Sequence, residues 1–250
     1  GWNGSLKHWD AEGTLVWTAS LPDRITVLSV SEGAIFATAG LNIVCLEADT
    51  GKQRWSHALE GSADTLALFK HRVYAVSSVY DIEHNDFLES AVWNFSFDGA
   101  MNWVQRMDER PWVLLEHKSK LWLGLGRPKC GFSSIDEEGV LTHHSAETDS
   151  PITCGASDEK TMLFGHANGV VSNFKGATFV AEESSAEHLV TVPSGYIAAL
   201  ENGDLICRVG AEEVWRSRGD AITLHQCAFA FKETQTHWAS RWAGSQGSLE

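Results

Sequence analysis

Positive charge is scarce in this chain: 19 Lys+Arg stand against 33 Asp+Glu, a net of −14. Binding nucleic acid through its phosphates needs a basic stripe, so nucleic acid is excluded as the main partner. Docking on an anionic membrane surface is disfavoured for the same reason. Nothing approaches the run of about 18 apolar residues that a membrane-spanning helix requires, so no membrane insertion is expected. The first residues, GWNGSLKHWD, lack the charged, apolar and small-residue regions of an export signal. Cysteines are few, and Cys45, Cys130, Cys154, Cys207 and Cys227 contain no C-x-x-C pair and an odd member. That is unlike a disulfide framework, and it points to buried free thiols in a reducing, cytoplasmic compartment.

Catalytic signatures are missing as well. There is no G-x-S-x-G elbow, no P-loop and no dinucleotide fingerprint. His71, His117, His166, His188 and His225 are scattered, and the adjacent His143 and His144 point to opposite faces if they lie on a strand. No catalytic residue, metal site or cofactor is expected. Helical periodicity is nearly absent; only THWASRW, with Trp238 and Trp242 four apart, fits a helical turn.

What the chain does have is 22 Gly and 11 Trp, and they recur together. CLEADTGKQRW (45–55) contains an alternating apolar strand, an acidic turn with Gly, and a short strand ending in Trp. HWDAEGTLVW and FSFDGAMNW repeat it, so that Gly13, Gly51 and Gly99 each precede Trp17, Trp55 and Trp103 by four residues. Weaker copies place Gly139 before His143, Gly176 before Val180 and Gly210 before Trp215, giving units that end near 17, 55, 103, 143, 180 and 215. A unit of about 40 residues fits one four-stranded propeller blade. The interval between Trp17 and Trp55 supports this with four β-rich runs, ITVLSV, AIFATA, IVCLEA and KQRW, separated by turn residues. The pattern predicts an all-β, six-bladed β-propeller over residues 1–231, followed by a tail over 232–250. Its sixth blade takes two strands from each terminus, SLKHWD and TLVW from one end, AITL and CAFAF from the other. In this arrangement each Trp fills the wedge between neighbouring blades, and each Gly serves a tight turn with positive φ.

AIFATAGLNIVCLEADTGKQRW (34–55) resembles the repeat of the pyrroloquinoline-quinone-like propeller family. The likeness is fair in 8–17 and 95–103, and it decays in 132–143 and 170–180, which are equally similar to WD repeats. Such propellers include quinone-dependent dehydrogenases, cofactor-free scaffolds of outer-membrane assembly and intracellular interaction platforms, so the resemblance implies a fold rather than a chemistry.

With strands A to D in each blade, the B–C and D–A connections share one face. The longest B–C connection, SSVYDIEHNDFLES (77–90), carries Tyr80, Asp81, Glu83, Asp86 and Phe87; aromatic anchors inside an acidic rim suit a partner contact. The next, GRPKCG (126–131), contributes a positive notch with Arg127 and Lys129, and GHANG brings His166. The D–A loops EGSAD, MDER, AETDS and EESSAE are mostly acidic, so this face is expected to be negative and to complement a basic protein or peptide segment. Trp238 and Trp242 leave the closing blade on the same face. The leading function is a non-catalytic scaffold for protein–protein interaction; the alternative is an enzyme or small-ligand binder using the central channel.

Overall fold

Alternating apolar and polar residues, interrupted by glycine turns, give the chain an all-β structure with no helix among the described residues. The computed structural model describes residues 1–127, 129–175, 178–218, 224–231, 237–243 and 246–249, with side chains up to residue 217 except those of 88, 178 and 179. It divides into two units, one of Gly1–Leu114 with Ile135–Leu141, the other of Leu115–Ser134 with Thr142–Glu250.

The first unit opens with β1 (Ser5–Trp9) and β2 (Leu15–Ser20), a two-stranded sheet. A four-stranded antiparallel meander follows: β3 (Ile25–Ser31), β4 (Ala34–Ala39), β5 (Asn42–Glu47) and β6 (Gln53–Ala58). These are the four runs anticipated between Trp17 and Trp55. A second meander comprises β7 (Ser62–Phe69), β8 (Arg72–Asp81), β9 (Asp86–Ser96) and β10 (Met101–Met107). Inner strands are covered on both faces, which is why AIFATA reads as a continuous apolar run; all six residues of β4 are buried. Phe36, Cys45, Ala75 and Phe95 form one core cluster, with Trp55 and Val104 packed on its margin.

A third meander runs β11 (Pro111–His117), β12 (Lys120–Leu125), β13 (Phe132–Ile135) and β14 (Leu141–His144). The second unit then holds β15 (Ile152–Ser157), β16 (Met162–His166), β17 (Val170–Asn173) and β18 (Thr178–Ala181). The next meander is β19 (Ala186–Val192), β20 (Gly195–Leu200), β21 (Asp204–Val209) and β22 (Glu212–Arg218). Last comes a three-stranded sheet of β23 (Leu224–Phe231), β24 (His237–Ala243) and β25 (Gln246–Leu249). This corrects one expectation: the residues around Trp238 and Trp242 form an extended strand rather than a helical turn. Their spacing of four fits either state, and pairing on both sides decides it. The side chains of Trp238 and Trp242 lie outside the described residues.

The repeated Trp performs the task its spacing predicts, and does it on the glycine of the following sheet. Trp17 lies against Gly51, Trp55 against Gly99 and Trp103 against Gly139. A Cβ on these glycines would stand 2.6, 2.6 and 3.0 Å from the respective rings. Each indole N–H also donates to a backbone carbonyl of the same turn: Ala48 at 2.9 Å, Phe97 at 2.9 Å and Glu137 at 3.1 Å. The three glycines have φ of 68°, 94° and 89°, so the turn conformation and the bare Cα are both required. The second unit uses other joints. Thr153 Oγ1 and Cys154 Sγ donate to the Ala186 carbonyl at 2.5 and 3.2 Å, and Gly210 has no atom near the place of a Cβ. The turn at Gly176 lies outside the described residues.

Gly13 separates the two demands on a docking glycine, because its φ is 84° yet nothing stands within 4 Å of a Cβ there. Gly13→Ala should lose only the left-handed backbone penalty of about 1–2 kcal/mol. Gly99→Ala should lose that plus an overpacking cost of about 1–3 kcal/mol. Urea unfolding of the two variants tests this, and equal losses would show that Trp55 does not bear on Gly99.

Candidate functional site

The long B–C connection is a β-ribbon rather than a loop. β8 and β9 continue pairing past the ends of their neighbours, to Asp81 opposite Asp86. β7 begins at Ser62 opposite Ser78, and β10 ends at Met107 opposite Ser90, so residues 79–89 stand clear of the sheet as a two-stranded projection. Asp81 turns the tip by accepting the His84 amide at 2.9 Å, an interaction that holds its carboxyl below the usual range. Asp86 accepts the Phe87 amide at 2.8 Å, and the Tyr80 hydroxyl donates to Asn85 at 2.5 Å. Two of the predicted acidic contacts therefore serve the turn itself, while Glu83 is exposed.

Tyr80 and Phe87 do meet, edge to face with centroids 5.2 Å apart. Phe87 is half-buried beneath the Arg110 guanidinium, which sits 3.8 Å from its ring and is held by Asp64 at 3.1 Å. The Trp112 ring lies 5.9 Å from the same guanidinium. On the ribbon Val79 is 39% exposed, Tyr80 47% and Ile82 86%, and Trp112 is 50% exposed. Sequence reasoning picked Tyr80 and Phe87 but passed over Ile82, Arg110 and Trp112. Trp112 carried a signal, being a tryptophan that ends no repeat unit.

At the base of the ribbon a cavity of about 220 Å³ is lined by Glu60, Val79, Glu89, Arg106, Met107 and Asp108, among others. Arg106 grips Glu60 in a two-point ion pair of 2.9 and 2.5 Å, which lowers the Glu60 pKa and raises that of Arg106. The acidic D–A loops are thus partly neutralised from within: Glu60 by Arg106, Asp64 by Arg110, and Glu182 by Arg208 in the second unit. That last pair is largely buried and also receives the Tyr196 hydroxyl at 2.6 Å, so it belongs to the core.

Lys129 of the predicted notch lines a cavity of about 280 Å³ in the second unit. Lys129, His143, His144 and Asp149 line it together with Cys130, whose thiol is pushed up by burial. Arg127 is exposed beside it and is not a lining residue. His143 and His144 bond Ser133 and Ser134 at 2.8 and 3.0 Å. His166 is not a surface group. It is fully buried, with Nδ1 on the Ser150 carbonyl at 3.0 Å and Nε2 on Ser172 Oγ at 2.8 Å. Among the described residues no group of three metal-ligating side chains converges. Cys45, Cys130, Cys154 and Cys207 are free and buried, as expected, and burial raises the Cys45 and Cys154 thiols to about 11 and about 12.

Meanders of four antiparallel strands, pinned through a tryptophan at each outer strand in the first unit, define a β-propeller protein. The chain belongs to the family described as outer membrane protein assembly factor BamB, whose model matches residues 3–127. No curated protein sequence matches the chain. Among solved structures it is similar to Sqt1 of Saccharomyces cerevisiae at 12% identity and a TM-score of 0.77, over 97% of this chain and 76% of that one. It is similar to the computationally designed Ika8 protein at 15% identity and 0.72, over 97% and 76%. BamB from Moraxella catarrhalis gives 15% identity and 0.68, over 96% and 74%. At these identities the likeness is one of fold.

The buried histidine makes stability pH-dependent with a definite sign. Burial holds the His166 pKa below its ordinary 6.5, and His144 and His188 are shifted the same way by burial. As pH falls below about 6.5 the unfolded chain takes up protons before the folded one, so stability is complete above that pH and declines beneath it. Denaturant midpoints measured from about pH 7 to about pH 5 should fall, and His166→Gln should make the decline shallower. An unchanged slope would mean that His166 titrates normally.

Proposed function

We propose that this chain is a non-catalytic, cofactor-free propeller scaffold that binds a protein or peptide partner of basic character. The observation that carries this reading is the projecting ribbon of residues 79–89. Val79, Tyr80 and Ile82 are exposed along it, Tyr80 packs on Phe87, and Phe87 lies under Arg110; a monomeric surface has little reason to hold so many exposed apolar side chains on a projection. Aromatic and arginine side chains clustered on a rigid support are typical interaction anchors. The family description, an outer membrane protein assembly factor, supports a role in bringing proteins together. Glu83 and Glu89 at the ribbon's rim favour a positively charged partner. Lys129 and Arg127, at the second unit's notch, are proposed as a separate contact of opposite sign.

Six blades closed by strands from both ends are likewise our proposal. It is supported by five four-stranded sheets and by β1–β2, which match the outer half of a blade through the Trp17 contact with Gly51. The buried free thiols support the proposed reducing compartment.

A photo-crosslinking residue at Ile82, irradiated in extracts of the source cells, should capture a discrete protein. The same residue at Val140, exposed on a C–D turn of the first unit, should not. Equal labelling at both positions, or none at 82, would overturn the assignment of the ribbon.

A further inference from the structure

The ribbon leaves a backbone edge as well as an apolar surface. Beyond Ser90, β9 keeps β8 on one side, but β10 has ended at Met107 and no strand follows on the other side among the described residues. An unpaired edge of this kind is a template for an added strand. The register shift between Val79 and Tyr80 breaks the regularity of the ribbon at its base, where the cavity of Glu60, Val79, Glu89, Arg106, Met107 and Asp108 opens.

The charges around that edge select its occupant. Arg106 is gripped by Glu60 and also feels the charge of Glu89, but Glu89 and Asp108 accept no hydrogen bond among the described residues. The cavity therefore carries an excess of negative charge, while Val79, Ala91 and Met107 supply apolar wall. A lysine or arginine side chain satisfies both requirements, its methylene stem against the wall and its cationic head between the carboxylates. A carboxylate would be repelled, and an uncharged aliphatic chain would desolvate Glu89 and Asp108 without pairing them. A second copy of the ribbon is disfavoured by the same logic, because it would bring the acidic Asp86 and Glu89 of one edge against those of the other and supply no cation.

We propose that an extended basic segment adds as a strand to the free edge of β9 and seats a lysine or arginine in the cavity at the ribbon's base. This rests on the reading of the ribbon as a protein contact, and it names the form and the anchor of the partner.

The test uses the full chain and a fluorescein-labelled peptide of ten residues, alternating valine or threonine with lysine or arginine. Two controls replace the basic residues with glutamate, or methylate the backbone nitrogens of alternate residues. Anisotropy should show binding of the basic peptide, at least tenfold weaker binding of each control, and at least a tenfold loss with Glu89→Gln/Asp108→Asn. Unfolding midpoints check that the double variant remains folded, and Lys52→Gln, on the C–D turn of its sheet, should leave binding unchanged. If the basic peptide fails to bind, or binds the double variant equally well, the cavity has no cationic occupant and the proposal is overturned. If the methylated peptide binds as tightly as the parent, strand addition is overturned. Crosslinking from position 82 distinguishes these failures from failure of the scaffold reading, because a partner captured there with no response to the peptide leaves the ribbon as a contact of another kind.

Discussion

A tryptophan near the start of one outer strand, laid on the glycine turn of the next sheet, is the contact on which the first unit depends. It joins three requirements in a single place. The ring covers the flank of a sheet, the indole N–H satisfies a turn carbonyl, and the glycine permits both the positive φ and the close approach. Because Trp17, Trp55 and Trp103 repeat it, successive meanders are held in the same relation, and departures from the repeat stand out physically. The ribbon of β8 and β9 is such a departure: its sheet is fixed by Trp55 on one flank and by Trp103 on the other, and the extra residues run past the strands that flank them.

The charge of the chain has a more local meaning than its total suggests. Three acidic residues of the D–A loops, Glu60, Asp64 and Glu182, are answered by arginines near them, so a net of −14 does not spread evenly over the surface. What remains uncompensated near the ribbon is a small set of carboxylates beside apolar side chains. In the contact proposed above, that combination is selective, since such a partner would bring positive charge and bury apolar surface together.

Much of the architecture was legible in the sequence because its causes are local. Alternation sets the strands, turns demand glycine, and a Gly-to-Trp spacing of four is visible without coordinates. Each of the four runs between Trp17 and Trp55 became a strand. Less was legible where contacts decide. His166 looked like a turn residue near a surface loop, yet its two ring nitrogens are bonded inside a sheet. Trp238 and Trp242 suited a helical turn, but strand pairing on either side sets their backbone. The Arg110 stack joins Asp64 of β7 and Phe87 of β9, both distant in sequence, to Arg110 and its neighbour Trp112, and nothing in their local pattern announces it.

The most direct test of the account is a double-mutant cycle between Trp55 and Gly99. If the ring bears on the glycine, replacing Trp55 with alanine should abolish the packing part of the Gly99→Ala penalty and leave only the backbone part. The cycle should then show a coupling of about 1–3 kcal/mol in denaturant unfolding. Strict additivity of the two substitutions would contradict the claim that this contact holds the sheets together.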